Sequence, residues 1–272
     1  MSYLLVTNDD GVDSPALVPL VQALRRIDRV EVVVPDRERS WISKAISRHD
    51  PLTVEQVTRG DDVAAYAVSG YPADCVQLGV HNFFEDRPRL VVSGVNIGSN
   101  HGSAFASCSG TIGAAAEAAN AGVPALAFSA RSTGSWPEWV QWAWSPEAVG
   151  MWERMAAIAA DIVEVILAEG FPPGVDVVNV NMPHEADLTT ERRVTRLAAT
   201  RYGPLFAPAG EFMLAHAYDG VLDVVGDPAG TDIGEGDAGY VTITPLRFAT
   251  TGAIDDSLRA ALERTPRRDA VV

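Results

Sequence analysis

The chain has 272 residues and a mass of 29.0 kDa, room for one large α/β domain or a domain with a smaller extension. Hydrophobic residues make up 47% and charged residues 21%, which excludes disorder, collagen and coiled coil as overall descriptions. The formal net charge of −15 repels a phosphate backbone, so a nucleic acid polymer is not an expected partner. A small anion stays eligible if something cationic and local receives it.

No run approaches the roughly 20 apolar residues of a membrane-crossing helix, so no membrane partner is expected. The start runs from Tyr3-Leu4-Leu5-Val6-Thr7 straight into Asn8-Asp9-Asp10 without a basic leader. With two cysteines and no Asn-x-Ser/Thr site, the expected compartment is the cytoplasm. Residues 3–7 read as a buried strand. Ser14-Pro15 reads as a helix start with a capping serine, followed by Leu17, Leu20, Val21, Leu24 and Ile27 at helical spacing. Residues 31–35 are a second apolar strand. Strand, helix and strand within about 35 residues make a βαβ unit and imply a parallel sheet.

Residues 52–57 and 63–68 flank Arg59-Gly60-Asp61-Asp62, a hairpin signal, and 73–80 read as a short helix. Residues 89–93 are a third core strand, followed by a long glycine-rich loop over 94–110. A helix over 111–121, a strand over 124–129, a long amphipathic helix over 146–168 and a strand over 176–181 continue the alternation. The expected fold is therefore a three-layer α/β/α Rossmann-like core with a mostly parallel sheet. Residues 1–187 are assigned to that core. Residues 188–272, with β-like segments between Pro/Gly-rich loops and a last helix over 253–263, are assigned to a C-terminal extension used for oligomerisation.

In such sheets, sites lie at the carboxyl ends of strands. Three polar loops leave those ends. Asp9 and Asp10 follow the first strand, and two adjacent carboxylates there suit a hard divalent cation; an Asx turn with solvated acids is the plain alternative. The charged loop Asp36-Arg37-Glu38-Arg39-Ser40-Trp41 follows the second, where Ser40 could ligate a metal or touch a phosphate and a simple surface turn is the other reading. Ser93-Gly94-Val95-Asn96-Ile97-Gly98-Ser99-Asn100-His101-Gly102 follows the third and leads to Ser109-Gly110-Thr111 at a helix start. Free backbone N–H groups at that start and the hydroxyls of Ser109 and Thr111 form an anion site; a capped helix after a flexible loop is the bland reading.

Other signals carry less. Lys44, the sole lysine, lacks the preceding glycines of a P-loop. Gly234-Glu235-Gly236-Asp237-Ala238-Gly239 matches G-x-G-x-x-G but precedes a strand, and two acids would face a pyrophosphate. The histidines lack zinc-site spacing and no nucleophile elbow is present. Cys75 and Cys108 read as packing residues. The tryptophans at 136, 139, 142, 144 and 152 read as core or subunit-contact packing rather than a stacking platform.

Together the loops resemble the SurE family of metal-dependent nucleotidases. The matching segments are residues 5–11, 34–40, 68–70 with 72–76, 93–98 with Asn100, 109–115, 179–183 and 239–246. The resemblance implies one divalent cation per subunit, Mg²⁺ or Mn²⁺, held by Asp9, Asp10, Ser40 and Asn96, with Asp9 and Asp10 as the catalytic pair. It implies phosphate binding by Asn96, Ser109, Gly110 and Thr111, and hydrolysis of nucleoside 5′- or 3′-monophosphates. It also implies a homodimer or homotetramer. Trp41, Asn100 and His101 are the candidate substrate-pocket residues. The chain departs from the family at Trp41, where glycine is usual, at Tyr71, where threonine is usual, and between Asn100 and Ser109, where the loop is one residue longer. Those departures leave a phosphatase for another small phosphate ester, sugar or secondary-metabolite, as the alternative. A non-catalytic phosphate-binding protein is the more distant one.

Overall fold

The first strand, β1 (Tyr3–Thr7), is buried at every residue, as a strand with helices on both faces must be. Leu4 and Val6 enter one apolar layer, and Tyr3 and Leu5 enter the other. The computed structural model describes residues 2–218, 220–248 and 250–263. In chain order, β1 is followed by α1 (Leu17–Leu24), β2 (Val30–Pro35), β3 (Val54–Arg59), β4 (Val63–Val68), α2 (Pro72–His81) and β5 (Pro88–Ile97). Then come α3 (Gly102–Cys108), α4 (Gly110–Asn120), β6 (Ala125–Arg131), α5 (Trp136–Ala143), α6 (Val149–Glu169) and β7 (Val177–Pro183). The C-terminal part holds β8 (Arg192–Val194), β9 (Thr200–Tyr202), β10 (Phe206–Gly210), β11 (Met213–His216), β12 (Leu222–Val224), α7 (Asp232–Asp237), β13 (Val241–Leu246) and α8 (Asp256–Leu262).

One nine-stranded sheet runs in the order β3-β4-β2-β1-β5-β6-β7-β13-β8. Its central pairs are parallel; β3 on β4 and β13 on β7 are antiparallel. Leu17, Leu20 and Leu24 of α1 pack with Met155, Ile158 and Ile162 of α6 against one face. Cys75, Val76 and Val80 of α2 pack with Ile112, Ala115 and Ala118 of α4 against the other. This is the expected three-layer α/β/α core.

Beyond residue 187 the chain returns to this sheet twice. β8 and β13 extend it at one end, with β13 seated between β7 and β8. The remaining C-terminal strands form two small antiparallel ladders, β10 with β11 and β9 with β12.

Local structure departs from the sequence reading at two places and adds two short helices that the sequence reading did not assign. Ser14 does not cap α1: its N–H donates to the Gly11 carbonyl in a turn, and the helix begins three residues later behind Ala16. The glycine-rich loop expected over 94–110 is largely ordered, because β5 continues to Ile97 and residues 102–108 form α3. Gly94 carries β5 forward at φ +123°, with its Cα against the Phe128 carbonyl, so that an added Cβ would lie 2.3 Å from that oxygen; only glycine passes there. The tryptophan-rich segment forms α5, with Trp139 buried and Trp136 and Trp142 more exposed. Gly234 and Gly236 lie within the short helix α7 ahead of β13.

Phe128 sits at the centre of the sheet with no exposed surface. Phe128→Ala should cost about 3–5 kcal/mol by opening a cavity, read as a lower urea midpoint at an unchanged slope.

Candidate functional site

The site is built where the carboxyl ends of β1, β2 and β5 meet the start of α4. After β1 the chain turns at Asn8, whose Oδ1 accepts from the Gly11 N–H at 3.1 Å and whose Nδ2 donates to the Gly11 carbonyl at 3.0 Å. That turn places Asp9 and Asp10 side by side inside the protein, 3% and 8% exposed. The loop after β2 is tied to them by the Arg39 N–H, which donates to the Asp9 carbonyl at 2.7 Å. The Arg39 guanidinium is anchored in turn on the Ser69 carbonyl at 2.6 Å. Ser40 is thereby set beside Asp9.

Asp9 Oδ1 accepts from the Thr111 hydroxyl at 2.6 Å. Asp10 Oδ2 accepts from the Ile97 N–H at 3.0 Å. Burial pushes the Asp9 carboxyl up to about 6, with the Thr111 hydroxyl pulling the other way. Asp10 is raised well above the usual carboxylate range by burial and by its neighbour Asp9. Among the described residues neither has an ion pair with a Lys or Arg. Two adjacent buried carboxylates without a counter-charge are costly, because each is desolvated and each repels the other.

A hydroxyl and an amide, Ser40 and Asn96, line the same cleft as Asp9. Ser40 Oγ donates to Glu38 Oε1 at 2.7 Å, and its lone pairs are not used in that bond. Asn96 Nδ2 donates to the Gly98 carbonyl at 2.7 Å, which sets Oδ1 as its acceptor end. No three His, Cys, Asp or Glu side chains come together as a metal cluster among the described residues. The donor set is instead two carboxylates with a hydroxyl and an amide oxygen, all hard ligands that match Mg²⁺ or Mn²⁺ rather than zinc.

Helix α4 begins against the acids. Ser109 caps it by accepting from the Ile112 N–H at 3.0 Å, so the Gly110 and Thr111 amides are first-turn N–H groups without helical acceptors. A Cβ at Gly110 would lie 2.8 Å from both Cβ and Oδ2 of Asp9. A cleft of about 370 Å³ opens over this corner, with Asp9, Ser40, Asn96 and Ser109 in its wall.

The profile of the family described as "Survival protein SurE" matches residues 4–204. The chain belongs to the SurE family. A curated relative from Methanocella arvoryzae, "5'-nucleotidase SurE", is 36% identical over 92% of this chain and 94% of its own length. One of the same name from Geobacter sulfurreducens is 36% identical over 91% and 88%. The crystal structure of the SurE protein from Aquifex aeolicus superposes with a TM-score of 0.72 at 31% identity, over 96% of this chain and 100% of that one.

On this SurE fold the residues singled out in sequence fall into two groups. Asp9, Ser40, Asn96 and Ser109, with Trp41, Asn100 and His101, border the cleft. Asp10, Gly110 and Thr111 lie behind its wall, Thr111 fully buried with its hydroxyl on Asp9. Asn100 is also a structural hub. Its Nδ2 donates to Ser129 Oγ at 2.8 Å, its N–H donates to Asn181 Oδ1 at 2.8 Å, and its carbonyl accepts from Asn179 Nδ2 at 2.8 Å. Burial and the nearby Arg131 hold His101 down at about 4, so the ring is neutral at pH 7. Cys108 reaches the cleft but burial pushes its thiol up to about 11, which keeps it an unreactive thiol.

Several cleft residues were not legible as site residues: Phe105, Arg131, Trp136, His216 and Tyr218. The last two arrive from the far end of the chain, more than a hundred positions from the acidic loop, and no motif spacing marks them. Glu38 was passed over within a loop already singled out, and it holds Ser40.

In an ordinary helix, Gly→Ala stabilises by roughly 0.5–1 kcal/mol. At Gly110 the sign should reverse, because the new methyl meets Asp9: Gly110→Ala should destabilise by about 1–3 kcal/mol, seen as a lower Tm in calorimetry.

Proposed function

We propose that this chain is a divalent-cation-dependent phosphomonoesterase that hydrolyses nucleoside 5′- or 3′-monophosphates to nucleoside and phosphate. The observation that carries the reading is the pair Asp9 and Asp10, buried together without a cationic partner among the described residues, Asp9 in the wall of a cleft and Asp10 behind it. The activity for which the relatives are named, 5′-nucleotidase, agrees with it.

Asp9, Asp10, Ser40 and Asn96 would hold the cation. When bound, it supplies Lewis acidity to the phosphoryl group and lowers the pKa of a water nucleophile. The chain's own groups do the rest. The Thr111 hydroxyl and the Ile97 N–H fix one oxygen each of Asp9 and Asp10, so that the carboxylates are preorganised. The Ser109 hydroxyl, in the cleft wall at the positive end of α4, is the donor for a phosphate oxygen, while Thr111 behind that wall is engaged with Asp9 and would act by holding this carboxylate. Ser109 uses an oxygen lone pair in its cap, which leaves its proton to give. Asn96 and Asn100, locked by their own hydrogen bonds, border the phosphate position. The cation also answers how a protein of charge −15 receives an anion.

Chelation with EDTA should abolish phosphate release, and Mg²⁺ or Mn²⁺ should restore it. Asp9→Asn and Asp10→Asn should each lower kcat/KM by about a thousandfold or more, with calorimetric Mn²⁺ binding weakened in parallel. Full turnover after exhaustive chelation would end this reading.

The same proposal includes self-association. The β10–β11 hairpin and its turn expose Phe206, Phe212, Met213 and Leu214, with Phe212 100% exposed, an apolar surface of the kind that partners cover. A homodimer or homotetramer using residues beyond about 190 is the expected state. Light scattering at micromolar concentration should give a multiple of 29.0 kDa, and a monomer would refute it.

A further inference from the structure

The residue after the candidate ligand Ser40 is Trp41, and its backbone is left-handed at φ 60°. An indole at such a position persists only where its surroundings hold it. Here four rings do so. Trp41 meets Phe105 at 5.9 Å between centroids, Tyr202 at 5.9 Å, His216 at 5.2 Å and Tyr218 at 5.6 Å, all edge-to-face. Phe105 in turn stacks over His101 at 6.0 Å with an interplanar angle of 5°.

This is not core packing. Trp139 and Trp152 are buried to 2% and 1% exposure, whereas Trp41 keeps 40% of its surface open despite four ring neighbours. Trp41, His101, Phe105, His216 and Tyr218 all border the same cleft as Asp9 and Ser40, and Trp136 does so as well. The cleft wall thus combines Asp9 and the α4 N-cap Ser109 with a set of rings.

We infer that Trp41 is a specificity-determining residue whose indole, held by the ring cluster, receives a planar ring on the leaving group of the phosphoester. This rests on the phosphomonoesterase reading and adds where selectivity resides. Ring faces attract any aromatic group without reading its edges. The site should therefore favour esters that carry a flat ring, whether nucleobase or simple aryl, over compact polyol phosphates.

The test compares the parent protein with Trp41→Gly and Trp41→Phe. Glycine removes the ring and tolerates the left-handed backbone; phenylalanine restores a ring. Phosphate release would be followed with Mn²⁺ for AMP, GMP, UMP, phenyl phosphate and ribose 5-phosphate. In Trp41→Gly the ratio of kcat/KM for nucleotide over ribose 5-phosphate should fall about ten- to hundredfold, the scale of one base–aromatic contact. The fall should lie mainly in KM, and Trp41→Phe should recover part of it. Loss on nucleotides and phenyl phosphate alike assigns any ring; loss on nucleotides alone assigns a base. An unchanged ratio would overturn the inference. Adenosine and guanosine binding, measured by ligand-observed NMR on the same proteins, gives a readout that needs no turnover. If the parent hydrolyses none of the esters, the phosphomonoesterase reading fails, while nucleoside binding that Trp41→Gly abolishes would still place the ring there; nucleoside binding that ignores the substitution would overturn the inference.

Discussion

Two carboxylates next to each other in sequence, buried at the end of a central strand, are the constraint around which this corner of the protein is built. Bringing one carboxylate out of water is costly, and bringing its neighbour with it adds repulsion. The surrounding structure is arranged to bear that cost. The Asn8 side chain closes the turn that presents the acids, the Thr111 hydroxyl and Ile97 amide each satisfy one oxygen, and the backbone of Arg39 binds the second loop to the first. Four elements distant in sequence converge on one corner because each supplies a donor to it. The raised proton affinities of Asp9 and Asp10 express the part that neutral donors leave uncompensated.

The layered sheet makes this convergence rigid. Asn96, Ser129, Asn181 and Thr242 are register partners on successive strands β5, β6, β7 and β13. They form a polar row across a sheet whose other residues are mostly aliphatic. Asn100 closes over that row, bonded to Ser129, Asn179 and Asn181. Asn179 Oδ1 is left without a partner in this network, but the bonds that are made hold its members in one geometry. The loop between β5 and α3 is thereby held to the sheet by side chains rather than left to wander.

Much of this was readable in one dimension. Continuous apolar runs such as 3–7 and 89–93 announce strands covered on both faces, and the acids that follow them are informative because strand ends are where parallel sheets place their chemistry. The hairpin around Gly60 and the helix over 73–80 follow from turn residues and spacing. What could not be read was pairing. Asn179 and Asn181 alternate along one strand, which says they share a face, but nothing local says that Asn100 lies there. The order in residues 94–108 was hidden by its glycines: Gly94 reads as flexibility but serves to let the backbone pass the Phe128 carbonyl. Ser14 illustrates the opposite error. Its type and position suit a cap, yet Ser14 lies in a turn, with its N–H on the Gly11 carbonyl and its carbonyl accepting from the Leu17 N–H, and the helix starts only behind Ala16. The ring cluster around Trp41 draws on positions 41, 105, 202, 216 and 218, a set only the fold can assemble.

The place of β13 has a consequence for how the molecule is made. β8 precedes it in the chain by about fifty residues but joins the sheet only through it. On the ribosome, β8 must therefore wait, unpaired, until Val241–Leu246 has emerged and inserted against β7. His216 and Tyr218, which complete the cleft wall, lie within the same interval. The acids at the end of β1 are synthesised first and the wall that faces them last. The corner around Asp9 and Asp10 is complete in the chain once Thr111 has been made, about a hundred residues before the wall gains His216 and Tyr218.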